Sequence, residues 1–419
     1  MNEVYKFKVT LRQMITIIHR TINSSHTTLL NHGEEVAYIM MNMLKMDGSY
    51  SEDEIIKICA ISIFHDIGIY KVTERDKIME ADTISPLKHA VYGSLFIKYF
   101  SPLSDLHKII LSHHFSPRYY REKNMDIISK EGLLLNFVDN LDRTYLKNNL
   151  ITREYYENSS EEFLVEHIEL FKKADKEFNL VSKLINGTYI EELYDFFDKK
   201  IITREEVIAY SKMLAYSIDF RSEATVRHTI TVEAISYQIG KLYGLDENKL
   251  TRIKVASALH DIGKIGIPVE ILEKPGNLTK EEFEIIKSHA IIGYSILSGL
   301  GIDDIRDIGT LHHEKLDGAG YPFGLREDKL SKEVRIVAIS DIISALLGSR
   351  SYKGEFTKDK TIKILKDMAR ANKIDYEITK LFIDNYDYLI NGALAQCSDL
   401  MEIYLNIKNE YKYLINTLS

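Results

Sequence analysis

HTITVEAISYQIGKL (228–242) is the stretch whose reading sets the fold class. After His228, apolar residues fall at Val232, Ile235, Ile239 and Leu242, steps of +4, +7, +11 and +14. That spacing marks one buried face of a helix, not the alternation of a strand. The stretch has a twin. HGEEVAYIMMNMLKM (32–46) begins on His32 and places Val36, Ile39, Met43 and Met46 at the same four steps. Working outward, His65, His89, His113 and His114 are answered by His260, His289, His312 and His313, and Asp66 and Asp139 by Asp261 and Asp341. The offsets run from 195 to 202 residues, and a near-constant shift of that size is the mark of a duplicated domain. The flanking residues repeat too. Ile58 and Ile61 precede His65 by seven and four, Ile253 and Ala256 precede His260 likewise, and Val334, Val337 and Ala345 surround Asp341 at −7, −4 and +4. Each polar residue is therefore expected on an apolar, core-facing stripe.

A chain of 419 residues, 45% apolar and 28% charged, has material for two cores. Only six prolines occur, and none lies between Pro117 and Pro268, which favours long helices joined by short turns. The fold class expected is all-α. A formal charge of −8 argues against general binding to nucleic-acid backbone. Two cysteines, Cys59 and Cys397, support neither a disulfide framework nor a thiolate metal cluster. MNEVYKFKVTLRQMITIIHR (1–20) lacks the apolar core of a secretory signal, and no stretch approaches 18 uninterrupted apolar residues. A cytoplasmic protein without a membrane span is the expectation.

A lone histidine on an apolar face is usually a hydrogen-bonded core residue. His19, His26, His107 and His167 have no twins and are read that way. Five histidines with two inward aspartates are different, because a buried carboxylate costs several kcal/mol unless paired or bound to a cation. His228, His260, Asp261, His289, His312, His313 and Asp341 therefore read as metal ligands. Imidazole and carboxylate without thiolate suit Fe, Mn, Co, Ni or Zn. Seven donors exceed the needs of one ion, so two ions are expected, with Asp261 as the natural bridge through its two oxygens. The twin set, His32, His65, Asp66, His89, His113, His114 and Asp139, is a second candidate metal site.

HDIGKIGIP (260–268) and HHEKLDGAGYP (312–322) resemble the HD-GYP subgroup of the HD phosphohydrolase superfamily. The similarity runs from about 205 to 365, through KPGNLTKEEFEIIKSHAIIGYSIL (274–297) and VRIVAISDIISALLGSRSYKG (334–354). The resemblance implies a bacterial second-messenger hydrolase, a phosphodiesterase that opens a 3′,5′-cyclic dinucleotide at an Fe or Mn centre. Cyclic di-GMP is the default substrate. A degenerate HD domain ahead of an HD-GYP domain also resembles enzymes acting on 3′,3′-cyclic GMP-AMP. His228, His260 and Asp341 would then hold one ion and His289, His312 and His313 the other, with Asp261 bridging. Lys264 and Asp261 are the catalytic candidates, Lys264 to neutralise a phosphate oxygen or protonate the departing 3′-oxygen. Tyr321, Arg350 and Lys353 are the substrate-binding candidates, while Glu314, Asp317 and the loop glycines read as shaping the loop.

Departures from the pattern sharpen these expectations. Ala224 stands where members with a third metal carry glutamate, which favours two ions. Ser344 replaces an aspartate that usually supports the ligands. In the first half, Ile69 replaces the lysine, Lys71 comes two positions too late, and the GYP loop is missing, so that half is expected to bind metal without cleaving a cyclic dinucleotide. The expected organisation is a degenerate HD domain (1–150), a helical linker (151–200), an HD-GYP catalytic domain (201–365) and a C-terminal helical extension (366–419). The expected partner is the cyclic dinucleotide, without a membrane; the resemblance also allows a homodimer and docking to GGDEF-type signalling proteins through the GYP loop. The rival reading is a non-catalytic receptor or docking module.

Overall fold

The computed structural model describes residues 8–25, 31–68, 86–119, 128–146, 163–220, 222–348 and 357–418. Among them there is no strand; a single bridge pairs Asp317 with Arg326. The all-α reading holds. Two compact units emerge, one holding Thr10–Ile202 and Asn409–Ser419, the other Thr203–Lys408 together with the N-terminal residues up to Val9.

Each unit is built on the same five helices. In the first they are His32–Asp47, Glu52–Ile63, Pro86–Phe100, His107–Ser112 and Lys130–Asn140; in the second, Glu223–Leu242, Glu247–Leu259, Lys280–Leu297, Asp303–Thr310 and Lys332–Leu347. Local chemistry fixes where they start. Ser51 and Thr279 form reciprocal capping boxes with Glu54 and Glu282, and the Asp246 carboxylate accepts from the backbone N–H groups of Asn248 and Lys249. Such caps contribute about 1 kcal/mol each. The apolar stripes then set the packing: Val36, Ile39, Met43, Val232, Ile235 and Ile239 are fully buried, and burying an aliphatic side chain of this size contributes roughly 1.5–3 kcal/mol.

The stripes end sooner than the spacing predicts. Leu242 is exposed and Met46 only half-buried, while Tyr243 and Leu245 take up the packing against the second unit's core. Ala345, expected on the buried stripe of Asp341, is exposed and faces a cleft.

Additional helices complete each unit. Val165–Phe178, Leu180–Asn186 and Tyr189–Asp198, the described part of the expected linker, pack within the first unit. There the Tyr38 hydroxyl donates to Glu192 at 2.6 Å and the Tyr194 hydroxyl donates to Glu34. In the second unit, Leu365, Ile378, Phe382 and Leu389 from the C-terminal helices join Ile235, Ile239, Ile336 and Ile343 in one core.

Candidate metal centres

In the second unit, His228 lies on the helix Glu223–Leu242, and His260 ends the helix Glu247–Leu259. Asp261 follows, and the short 3-10 turn Ile262–Gly266 folds Lys264 back so that its ammonium donates to the Asp261 carboxylate. The turn lies so tightly on the helix Lys280–Leu297 that a Cβ at Gly263 would overlap the His289 carbonyl. This close approach presents His289 to Asp261. His312 and His313 come from the turn after Asp303–Thr310, and Asp341 from Lys332–Leu347.

The seven side chains converge. Asp261 Oδ2 lies 3.1 Å from His260 Nε2 and 3.6 Å from His228 Nε2, whereas its Oδ1 lies 3.4 Å from His289 Nε2. One oxygen thus faces each half of the cluster, the disposition a bridging carboxylate needs. Asp341 Oδ1 is 3.3 Å from His228 Nε2 and its Oδ2 is 3.8 Å from His313 Nδ1. The ligand atoms form two trios, His228–His260–Asp261 and His289–His312–His313, each within 4.8 Å of one another.

Hydrogen bonds on the outer side of the rings show which nitrogen faces inward. The Nδ1 atoms of His260, His289 and His312 donate to the carbonyls of Ser257 (2.7 Å), Ile286 (2.6 Å) and Gly309 (2.7 Å). A carbonyl can only accept, so the proton sits on Nδ1 and the Nε2 lone pair points into the cluster. Ser344 does the same for His228. Its hydroxyl donates to the His228 carbonyl at 3.2 Å and its oxygen lies 3.0 Å from Nδ1. The serine therefore keeps the contact that the expected aspartate would make.

Two observations test whether cations fit. The buried Nε2 atoms of His289 and His312 have no hydrogen-bond partner. His228 Nε2 and His260 Nε2 converge to 3.3 Å, so that the pair shares either a proton or a cation. The donor set fits. The protein's own charges agree: burial lowers His289, His312 and His313, the last to about 4, so these rings are neutral. Burial opposes ionisation of Asp261 and Asp341, but the surrounding imidazoles, and Lys264 for Asp261, outweigh it and hold both below the usual carboxylate range. Burial also works against His228, yet Asp261 and Asp341 lift it to about 9.

Around the cluster, Glu314 shapes the loop that follows. Its carboxylate accepts from the backbone N–H of Phe323 (2.6 Å), Gly324 (3.1 Å) and Leu325 (2.9 Å), while Gly320 packs against the Glu314 backbone where a Cβ would clash. Asp317 accepts from the Ala319 N–H at 2.9 Å. The loop holds the Tyr321 ring 4.6 Å from that of His313. A cleft of about 700 Å³, lined by Ala224, His228, Lys264, Ser344 and Ala345 among others, opens on the cluster. It falls within the range of small-molecule sites. Ala224 lines this cleft, while Glu223 pairs at the surface with Arg227 at 2.9 Å. Arg350 and Lys353, like Ile69 and Lys71 of the first half, lie outside the described residues.

The duplication gave no sign of Asp219. It is buried, accepts from the Thr229 hydroxyl at 2.6 Å, and is pushed up to about 6 by burial, with Lys264 opposing. Its position in the first half is Asn23, so comparing the halves passes over it.

The first unit gathers all seven twins. His65 and His113 donate through Nδ1 to the carbonyls of Ser62 (2.7 Å) and Ile110 (2.5 Å), repeating the outer bonds of His260 and His312. His89 Nε2 lies 2.8 Å from His114 Nε2 and 3.3 Å from His113 Nε2. Asp66 again splits its oxygens, with Oδ2 3.3 Å from His65 Nε2 and Oδ1 3.5 Å from His89 Nε2. Two residues that the sequence reading missed intrude. Asp142 Oδ2 lies 2.5 Å from His32 Nδ1, and Arg143 donates to Asp66 and Asp139 at 2.8 and 2.7 Å. Of the unpaired histidines, His19 sits 3.2 Å from Glu34, His107 contacts Ser94, and His167 packs on Phe137; His26 lies outside the described residues.

Five helices carrying a His, a His-Asp pair, a His, a His-His pair and an Asp, present twice, define a tandem HD-domain protein. The chain belongs to the HD-domain family: profiles of the HD domain match residues 29–144 and 211–378. Its second copy carries the GYP triplet of the HD-GYP subgroup. The chain is similar to the 3′3′-cGAMP-specific phosphodiesterase 1 of Vibrio cholerae, 26% identical over 93% of this chain and 95% of that protein. It is also similar to a cyclic di-GMP phosphodiesterase of Thermotoga maritima, 44% identical over 35% of this chain and 40% of that one. A solved cyclic GMP-AMP specific phosphodiesterase of V. cholerae, V-cGAP3, shares the fold with a TM-score of 0.57 at 16% identity, covering 90% of this chain and 98% of that one. No helix among the described residues is long and apolar enough to cross a membrane.

Proposed function

We propose that the chain is a metal-dependent phosphodiesterase that opens a 3′,5′-cyclic dinucleotide to a linear dinucleotide in its second unit. The observation that carries this reading is the set of inward, buried imidazole nitrogens around a carboxylate with one oxygen turned to each trio. His228, His260 and Asp341 would hold one divalent ion, His289, His312 and His313 another, and Asp261 would span both. Fe or Mn suits these donors. Ala224, in place of a third carboxylate at the cleft, supports two ions rather than three. Bound there, the ions supply Lewis-acid polarisation and charge neutralisation at the phosphate.

The chain's own groups do the rest. Outer hydrogen bonds from the rings to backbone carbonyls and to Ser344 fix the imidazoles so that no reorientation is needed during the reaction. Lys264 stays charged because Asp261 outweighs the burial that opposes its ammonium. Lining the cleft, it can offset charge on a phosphate oxygen or hand a proton to the departing 3′-oxygen. Glu314 holds the loop that keeps Tyr321 at the cluster's edge, where a base can stack on it. Arg350 and Lys353 are proposed as further phosphate and base contacts.

The relative that matches along nearly the whole chain is named for 3′,3′-cyclic GMP-AMP, and this two-domain correspondence supports that dinucleotide as the first substrate to test. Protein loaded anaerobically with Fe(II) or Mn(II) should convert 3′,3′-cyclic GMP-AMP or cyclic di-GMP to linear product, resolved by chromatography. Tight binding of either with no turnover would instead favour a receptor.

A further inference from the structure

Aligned by sequence, the two ligand sets differ by a substitution that adds a cation to the first. The residue four after the last aspartate is Ala345 in the second unit and Arg143 in the first. Ala345 leaves its cleft open beside His228 and Lys264. Arg143 instead turns inward from the π-helical turn Leu141–Leu146 that follows Asp139. Its Nη2 donates to Asp66 Oδ2 at 2.8 Å and its Nε donates to Asp139 Oδ1 at 2.7 Å. These two oxygens are also the ones nearest His65 Nε2, at 3.3 and 3.6 Å. An ion on His32, His65, Asp66 and Asp139 would need the same oxygens. His32 Nε2 is drawn to that same Asp139 oxygen at 2.8 Å, while Asp142 holds its Nδ1 as Ser344 holds that of His228, so Arg143 is what sets this side of the first cluster apart.

The opposite side of the first cluster is different. Asp66 Oδ1 is buried without a hydrogen-bond partner and lies 3.5 Å from His89 Nε2, where the His113 and His114 rings converge. We propose that Arg143 is a built-in cation standing in for one of two metal ions, so that the first unit is a one-ion site on His89, His113, His114 and Asp66. A guanidinium never deprotonates under ordinary conditions, and its fork of donors matches two carboxylates. Being tethered, it cannot diffuse away. A single remaining ion cannot clamp both the attacking and the leaving oxygen of a phosphoryl transfer, so the first unit is a metal-holding module without the two-ion chemistry proposed for its twin. The inference leans on the two-ion reading of the second unit only for what a complete set contains.

The test is a metal count on the full chain, loaded with Mn(II) without air, desalted and analysed for bound metal, with electron paramagnetic resonance to separate isolated from coupled ions. With the second cluster silenced by His260→Ala, Asp261→Asn and His289→Ala, one uncoupled ion per chain is expected. Adding Arg143→Met should raise the count to two and give a coupled signal. A count of two with Arg143 in place, or no gain in a folded Arg143→Met protein, overturns the proposal. Should Arg143→Met not fold, the count in the silenced background alone still decides, since any value other than one refutes the one-ion site. A count on the His89→Ala, His113→Ala, His114→Ala protein measures the second unit separately, so failure of its two-ion reading is visible as such.

Discussion

The two halves place the same seven side chains on the same five helices, yet three local exchanges give them different chemistry. Where the second unit has Lys264 bonded to Asp261, the first has isoleucine in sequence. Where the second has Ser344 beside His228, the first has Asp142 beside His32. Where the second has Ala345 and an open cleft, the first has Arg143 across two carboxylates. The scaffold thus decides where the candidate ligands stand, while the local exchanges decide where the protein's own cation sits: Lys264 on Asp261 alone in the second unit, Arg143 across Asp66 and Asp139 in the first. A buried pair of carboxylates must be neutralised, and this chain holds two solutions to that requirement side by side.

The sharpest way to break the comparison is to remove equivalent ligands from each half. Asp261→Asn should remove the bridge and cut hydrolysis by about a thousandfold or more, in the manner of lost preorganised electrostatic groups. Asp66→Asn should leave turnover within a few-fold. The comparison fails if the two variants lose activity equally in steady-state assays on metal-loaded protein. Next in size is a transplant. Ala345→Arg places a guanidinium where Arg143 stands in the other half, within reach of Asp261 and Asp341. It should displace one equivalent of metal, read by elemental analysis, and lower kcat by about a hundredfold or more. An unchanged metal count in a folded variant would show that position alone does not set the charge.

A smaller effect separates ligand support from loop support. Ser344→Ala removes the outer partner of His228 Nδ1 and should weaken metal affinity about tenfold to a hundredfold while sparing saturated activity, as losses around metal ligands do. Glu314→Gln should act the other way. It keeps metal affinity but weakens three loop contacts, raising KM about tenfold with less effect on kcat. Metal titrations followed by kinetics on both variants distinguish the two behaviours.

Most of the side-chain cluster was legible in the sequence because two independent regularities agree on it: helical spacing puts its residues on a core stripe, and the duplication repeats them. What escaped lay outside one regularity or the other. Asp219 has no twin, since its position is Asn23 in the first half. Asp142 and Arg143 read as ordinary charges at the end of a helix, and only their distances to His32, Asp66 and Asp139 reveal an inward role. The core stripe was overextended at Leu242 because, where the helix ends, Tyr243 and Leu245 meet the core in its place. Ala345 was misplaced because an alanine suits either a core or the wall of a cleft.

The smallest expected effect tests the other kind of histidine. His19 is buried beside Glu34, and burial sets both groups: it lowers the ring to about 4, with Arg20 adding to this, and raises the carboxyl. The contact is therefore a hydrogen bond donated by a neutral ring to the Glu34 carboxyl group, with Asn23 holding the other ring nitrogen at 3.0 Å. A ring whose folded value lies below its ordinary value near 6.5 contributes stability in full above that pH. As pH falls from about 6.5 towards 4 the unfolded chain takes up the proton first, and up to about 3 kcal/mol is lost. His19→Gln retains a donor and an acceptor but cannot titrate. Thermal melts of metal-loaded protein between pH 7 and 4 should therefore show a flatter fall for this variant in the transition assigned to the first unit. An identical slope would mean that His19 does not titrate as a buried neutral ring, and that the line between structural and ligand histidines has to be redrawn.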